Sequence, residues 1–313
     1  MLSDASLVFR PRRPSAARAG IALIALFVVV NTAIEVVTLA RAALVPAAVA
    51  RQVWQVAVPG GFPNGGGVAV GTDGRIYATD IKPPRLRVFA ANGALLATWD
   101  GRGGTVALRA PTAVAALPDG RIAVLDPGDA AIVECAPDGQ HCSRLHIQSL
   151  NSSRGFTPRR DGGYYVADTG NDRVLRVDAQ GRVLVSWGRY GTKPGQFGGP
   201  WSVVEAADGD IYVADNDNGR IEELTWTGTF VRELDTAGPA GGLALAGDRL
   251  YVALPAGGGI EVMRTDQRGF TRLNEQPRRA VVVPQPFGIA VAPDGSLVVA
   301  DLTGLAEYAV QAP

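Results

Sequence analysis

Lysine is almost missing from this chain of 313 residues. Only Lys82 and Lys193 occur, and arginine carries the rest of the positive charge. Thirty basic residues are balanced by thirty acidic ones, so no net field exists to gather a nucleic acid or an acidic polymer. Histidine is limited to His141 and His146, close together in sequence, so a three-histidine zinc site cannot be assembled and a Ser-His-Asp triad is poorly supplied. What the chain has in quantity is hydrophobic residues, 47%, punctuated throughout by 39 glycines and 21 prolines. Apolar segments interrupted this often by turn formers point to an all-β protein with many tight turns.

One apolar run stands apart. Residues 1–18 carry Arg10, Arg12, Arg13 and Arg18 against the single acid Asp4, and residues 19–34 are uncharged. Extended through Glu35 to residue 40, the run would reach about 33 Å as a helix, enough to cross a bilayer core. The arginine-rich flank predicts that the N-terminus stays in the cytoplasm and that everything after residue 40 lies outside. A signal-anchor is expected at 19–40, followed by a short linker at 41–50. A cleaved signal peptide is the alternative, with small residues at Ala40 and Ala42, or Ala48 and Ala50, available to a peptidase. Either way the rest of the chain is exported. Cys135 and Cys142 flank a turn-rich stretch and should face each other across a β-hairpin, where an oxidising compartment would join them; two free thiols are the alternative.

The rest of the sequence repeats. Asp-Gly turns occur at 73–74, 119–120, 161–162, 208–209 and 294–295, with Gly-Asp at 247–248. The spacing, roughly 44 residues, is that of propeller blades. A short apolar run precedes each turn and a β-branched or aromatic segment follows it, with two further strands after that. Each unit therefore reads as a four-stranded antiparallel meander. The sixth ends after three strands, and an orphan strand at 52–56, with Trp54 placed like Trp99 and Trp187, precedes the first unit. Pairing the two would close the ring and remove a free edge. The expected fold is an all-β, six-bladed β-propeller over 51–313, with the seam between first and last blades facing the bilayer if the anchor is retained.

The segment Tyr165-Val166-Ala167-Asp168-Thr169-Gly170-Asn171-Asp172-Arg173-Val174 repeats as Tyr212-Val213-Ala214-Asp215 followed by Asn218, Arg220 and Ile221. With the link from Trp187-Gly188 through Gly195-Gln196-Phe197 to Pro200-Trp201, these motifs closely resemble the NHL repeat family of propellers over about 50–313. The aspartate and arginine of the motif lie five residues apart across a tight turn. Asp80 with Arg85, Asp168 with Arg173, and Asp215 with Arg220 are expected to pair and to satisfy turn amides. Blades two and six keep Asp126 and Asp301 but have Ala131 and Ala306, and blade five has Leu254 and Gly259. Those blades are expected to be less rigid.

Chemistry is harder to find. The three-histidine zinc centre of peptidylamidoglycolate lyases, which this fold resembles, has no counterpart. A calcium-dependent lactonase would need oxygen ligands converging from several blades. Only Glu205 stands out, an acid where sister repeats have Val70 and Val291; Arg159 and Arg160 are its expected partners, with a metal ligand as the alternative. The run 215–219 resembles a calcium loop but coincides with the repeat's turn. For recognition, 188–200 carries Tyr190 and Phe197, expected to pack, whereas 274–286 carries Arg278 and Arg279 and departs from the repeat. The expected function is a membrane-tethered, non-catalytic protein- or glycan-binding scaffold without cofactor or nucleic acid. A metal-dependent lactonase or esterase and a sensor of a small ligand are the alternatives.

Overall fold

Five of the six repeats fold locally, each strand turning back on the one before it. Blade three shows the pattern: Gly155–Pro158 pairs with Tyr164–Asp168, that with Arg173–Val177, and that with Val183–Trp187, all antiparallel. The computed structural model describes residues 49–256, 259–266, 271–272, 274–275, 279–280 and 283–311. The expected tail 1–18, the apolar segment 19–40 and Arg278 lie outside them. Among the described residues no helix is long and apolar enough to cross a membrane.

The sixth blade is completed from the other end of the chain. Gly288–Val291, Leu297–Ala300 and Gly304–Gln311 are followed in the sheet by Val49–Ala57, which pairs antiparallel with Gly304–Gln311. The closing strand is longer than the expected 52–56 and begins inside the expected linker. It also pairs in parallel with Asn274–Glu275, which pairs in turn with Arg279–Ala280. The stretch expected to be a free interaction loop thus supplies two short strands to the closing blade, and Arg279 lies in one of them.

Apolar residues are divided among six clusters, each shared by two neighbouring blades. The second strand of a blade faces two of them. Tyr164 and Val166 join the cluster shared with blade two, while Tyr165 and Ala167 join the one shared with blade four. Side chains alternate faces along a strand, so a strand buried on both faces must be apolar at nearly every position. That requirement explains the uninterrupted burial of Ile76–Asp80, Ile122–Asp126, Tyr164–Asp168 and Ile211–Asp215.

The outer strands are tied by a repeated contact. A Cβ on Gly139 would lie 2.7 Å from the Trp99 ring, and one on Gly228 would lie 2.2 Å from Trp187. Both glycines have positive φ in the turn before the next blade's outer strand, where an added side chain would be strained as well as obstructed. Trp54 of the closing strand lies against Gly93 of blade one in the same way, so the seam is packed like the junctions of blade one with two and of three with four.

The motif aspartates fasten the links between blades. Asp168 accepts from the Asn151 amide, the Ser153 hydroxyl and the Asn171 side chain, and Arg173 Nε approaches to 2.8 Å. Arg85 Nε lies 2.7 Å from Asp80, and Arg220 Nε lies 2.9 Å from Asp215. Where the arginine is replaced by Ala131, Asp126 is still held, by the amides of Arg109 and Ala110. Asp301 is held by the amides of Thr303 and Gly304 and the Thr303 hydroxyl. The carboxylate is therefore satisfied without arginine, and only Leu254 of blade five gives up the fastening altogether.

The two cysteines are joined, with Cα atoms 4.1 Å apart. That separation suits a non-hydrogen-bonded pair across an antiparallel hairpin, and the turn closes through the Ala136 amide donating to the Gln140 carbonyl.

Candidate functional site

Aligning the six repeats on their innermost strands shows where they converge. Val68, Val114, Phe156, Val203, Leu243 and Ile289 occupy one equivalent position, and the residue before each is small: Gly67, Ala113, Gly155, Ser202, Gly242 and Gly288. Crowding at the axis enforces this. A Cβ on Gly67 would come within 2.7 Å of the Ala113 Cα, and one on Gly155 within 2.8 Å of the Ser202 Cα. One residue earlier the constraint lifts, and the slot holds Gly66, Thr112, Arg154, Trp201, Gly241 and Phe287. This variable ring opens onto a cavity of about 90 Å³, to which all six blades contribute.

Within the ring, Arg154 and Trp201 come from adjacent blades and meet. The guanidinium carbon lies 4.5 Å from the indole ring centroid, a cation–π stack. Arg154 is half-buried, and its guanidinium has no hydrogen-bond or ion-pair partner among the described residues. Burial alone pulls its pKa below the ordinary arginine value; no carboxylate acts on it. An arginine remains charged under such conditions, so the cavity is lined by one uncompensated cation. The Thr112 hydroxyl donates to the Ser153 carbonyl, and Ser202 Oγ accepts from the Leu243 amide.

The residues singled out in the sequence lie elsewhere. Glu205 ends the inner strand Pro200–Glu205 that carries Trp201, roughly 13 Å from it at about 3.3 Å per residue, and Arg159 follows Gly155–Pro158 at the end opposite to Arg154. Glu205 is half-buried and accepts from the backbone amide of Arg160 at 2.9 Å, whereas the Arg160 guanidinium donates to the Ala207 carbonyl. Arg159 pairs with Asp161 and donates to the Val177 carbonyl. The expected ion pair between Glu205 and these arginines is thus replaced by a contact to the main chain, because the guanidinium groups reach nearer acceptors. Among the described residues no three His, Cys, Asp or Glu side chains gather as a metal site. In the calcium-like run, Asp215 accepts from the Gly198 amide and the Asn218 side chain, and Asn216 donates to the Ala240 carbonyl.

The link 188–200 leads directly to Trp201 and is strapped from below. Arg220 donates to the carbonyls of Thr192 and Gln196, and the buried Glu222 accepts from the Gly195 amide at 3.0 Å. Burial raises the Glu222 pKa to about 7, outweighing the attraction of Arg220, whose Nη2 lies 2.7 Å away. Of the two aromatics in this link, Phe197 is buried between blades three and four, while Tyr190 is exposed.

Arg154 and Trp201 were passed over because each is unremarkable in its own repeat. The signal lay in comparing repeats: the ring slot is where the units agree least, directly beside a slot where all are small.

No protein-family model matches the sequence. Similar folds occur among solved structures. A gluconolactonase from Xanthomonas campestris has 14% identity and a TM-score of 0.63, covering 86% of this chain and 99% of its own. A streptogramin B lyase has 14% identity and a TM-score of 0.60, covering 85% and 98%. A chain of the nidogen/laminin complex has 19% identity and a TM-score of 0.57, covering 72% and 83%. The protein is accordingly a six-bladed propeller of four-stranded antiparallel blades, similar in fold to propellers that include a gluconolactonase and a streptogramin B lyase.

Proposed function

We propose that this protein is an exported, NHL-type propeller, tethered through residues 19–40, that binds a small molecule in its axial mouth. The observation that carries the reading is the Arg154–Trp201 pair, a half-buried cation without a hydrogen-bond or ion-pair partner among the described residues, stacked on an aromatic plate in the cavity that all six blades share. Arg154, Thr112 and Ser202 converge on this cavity beside main-chain groups of its glycines, and convergent polar groups in a concave site orient a small ligand. The Cys135–Cys142 bond and the arginine-rich N-terminal flank support export. This reading displaces the scaffold expected from the sequence, whose best candidate surface, 274–286, contributes strands to the closing blade.

A second reading, a lactone or ester hydrolase, is favoured by two of the similar folds being a gluconolactonase and a streptogramin B lyase. The donor set does not fit a calcium centre: Glu205 lies at the far end of its strand, and among the described residues no carboxylate lines the axial cavity and no three acidic, His or Cys side chains gather. Turnover of a lactone and ester panel with and without a chelator tests that reading directly.

The binding reading is tested by thermal unfolding of the full chain against a small-molecule panel. A ligand that raises the melting temperature is expected, with Trp201→Ala cancelling the shift. Stabilisation unaffected by Trp201→Ala and by Arg154→Gln would place the ligand elsewhere and overturn it.

A further inference from the structure

We infer that the axial mouth selects a monocarboxylate with a compact apolar body and no ammonium group, seated edge-on against the Arg154 guanidinium. The inference rests on the axial reading above and narrows it to a chemical class.

The stack fixes which part of Arg154 is free. One guanidinium face is taken by the Trp201 indole, which leaves the in-plane N–H donors as the only unused hydrogen-bonding capacity of the group. Those donors form a planar fork that matches the two oxygens of a carboxylate. Other buried arginines have had this capacity taken up by the protein: Arg87 by Asp80 and the Pro59 carbonyl, Arg159 by Asp161 and the Val177 carbonyl, Arg220 by Asp215 and two link carbonyls. Arg154 alone among these keeps its fork open, and it faces the axis.

The remaining lining determines the body of the ligand. Among the described residues no aspartate or glutamate borders the cavity, so an ammonium group would lack a counter-charge there, which penalises zwitterionic amino acids. No second cation among the described residues borders it either, so a dicarboxylate would leave one charge unmatched. Phe156, Leu243, Phe287 and Ile289 supply apolar walls for the body of the ligand, beside main-chain groups of the lining glycines; the Thr112 hydroxyl donates to the Ser153 carbonyl, and Ser202 Oγ accepts from the Leu243 amide. With about 90 Å³ available, the body must be small.

The test is calorimetric titration of the full chain with acetate, butanoate, benzoate and phenylacetate, each paired with its own amide. Phenylalanine, benzene-1,3-dicarboxylate and inorganic phosphate complete the set. At least one carboxylate is expected to bind about tenfold or more tightly than its amide, with phenylalanine and phosphate weaker by a similar factor. Arg154→Gln should erase the preference while leaving the melting temperature unchanged, and Arg154→Lys should retain only part of it, because a point charge lacks the fork. Amides binding as tightly as acids, a preference surviving Arg154→Gln, or phosphate binding as tightly as the best carboxylate would each overturn the inference and leave the axial reading in place. Absence of any Trp201-dependent binding by acids and amides alike would remove both.

Discussion

Arg220 and Arg154 show how differently one residue type is used at the rim of this propeller and at its axis. At the rim, Arg220 contacts Asp215 at 2.9 Å, Glu222 at 2.7 Å and Glu233 at 2.7 Å, and it holds the link 188–200 through carbonyl oxygens. At the axis, Arg154 has one aromatic face and, among the described residues, no hydrogen-bond or ion-pair partner. Desolvating a charge costs free energy at both places, but only at the rim is the cost offset within the protein. An arginine that is part of the fold and an arginine left over from it can be told apart by what happens when each is removed.

The largest effect is expected at the rim. Asp215→Ala leaves Arg220 buried without its main partner and should destabilise the fold by about 3–5 kcal/mol in urea unfolding; a loss below about 1 kcal/mol would sink the idea that the rim clamp is structural. Blade two sharpens the point. It has Ala131 in the clamp position and carries the disulfide at the other end of the same strand, Ala131–Cys135. Replacing both cysteines by serine should lower stability by about 2 kcal/mol through the entropy of the freed short loop, measured by the same method.

A smaller, pH-dependent effect comes from Glu222. Its folded pKa, about 7, lies above the ordinary value of 4.5. The folded state therefore holds this proton more tightly than the unfolded chain does. Stability from this group is fully present below about pH 4.5, is lost as pH rises toward about 7, and is level above that. Asp215 is displaced upward as well, by burial, and acts in the same direction at lower pH. Glu222→Gln should flatten the slope of the unfolding free energy between pH 5 and 7; an unchanged slope would show that the strap does not hold the proton. The smallest effect is expected at the axis. Arg154→Leu should leave stability within about 0.5 kcal/mol, because no partner loses its charge. A large loss there would erase the distinction between the two sites.

Blade limits were legible along the chain because each hairpin is made of neighbours in sequence, with Asp-Gly turns between apolar runs. Closure was legible too, since the sixth unit reads as three strands and a spare strand carrying Trp54 precedes the first unit. The pairing of Asn274–Glu275 with Val49–Ala57 was not, because two-residue strands have no period to read. Glu205 was conspicuous as an acid in an apolar slot, yet conspicuousness did not place it near the axial mouth: it ends the strand Pro200–Glu205, with Trp201 at the other end.

The sequence by itself determined the six meanders, the order in which they close and the motif aspartates of five blades, because all of these follow from local turns and period-two burial. Only the tertiary structure decided which end of the inner strands opens into the cavity, and that Arg154 of blade three meets Trp201 of blade four with no carboxylate in reach. Contacts between blades join residues about one repeat apart, and no local pattern records which charges remain unpaired once every neighbouring blade is in place.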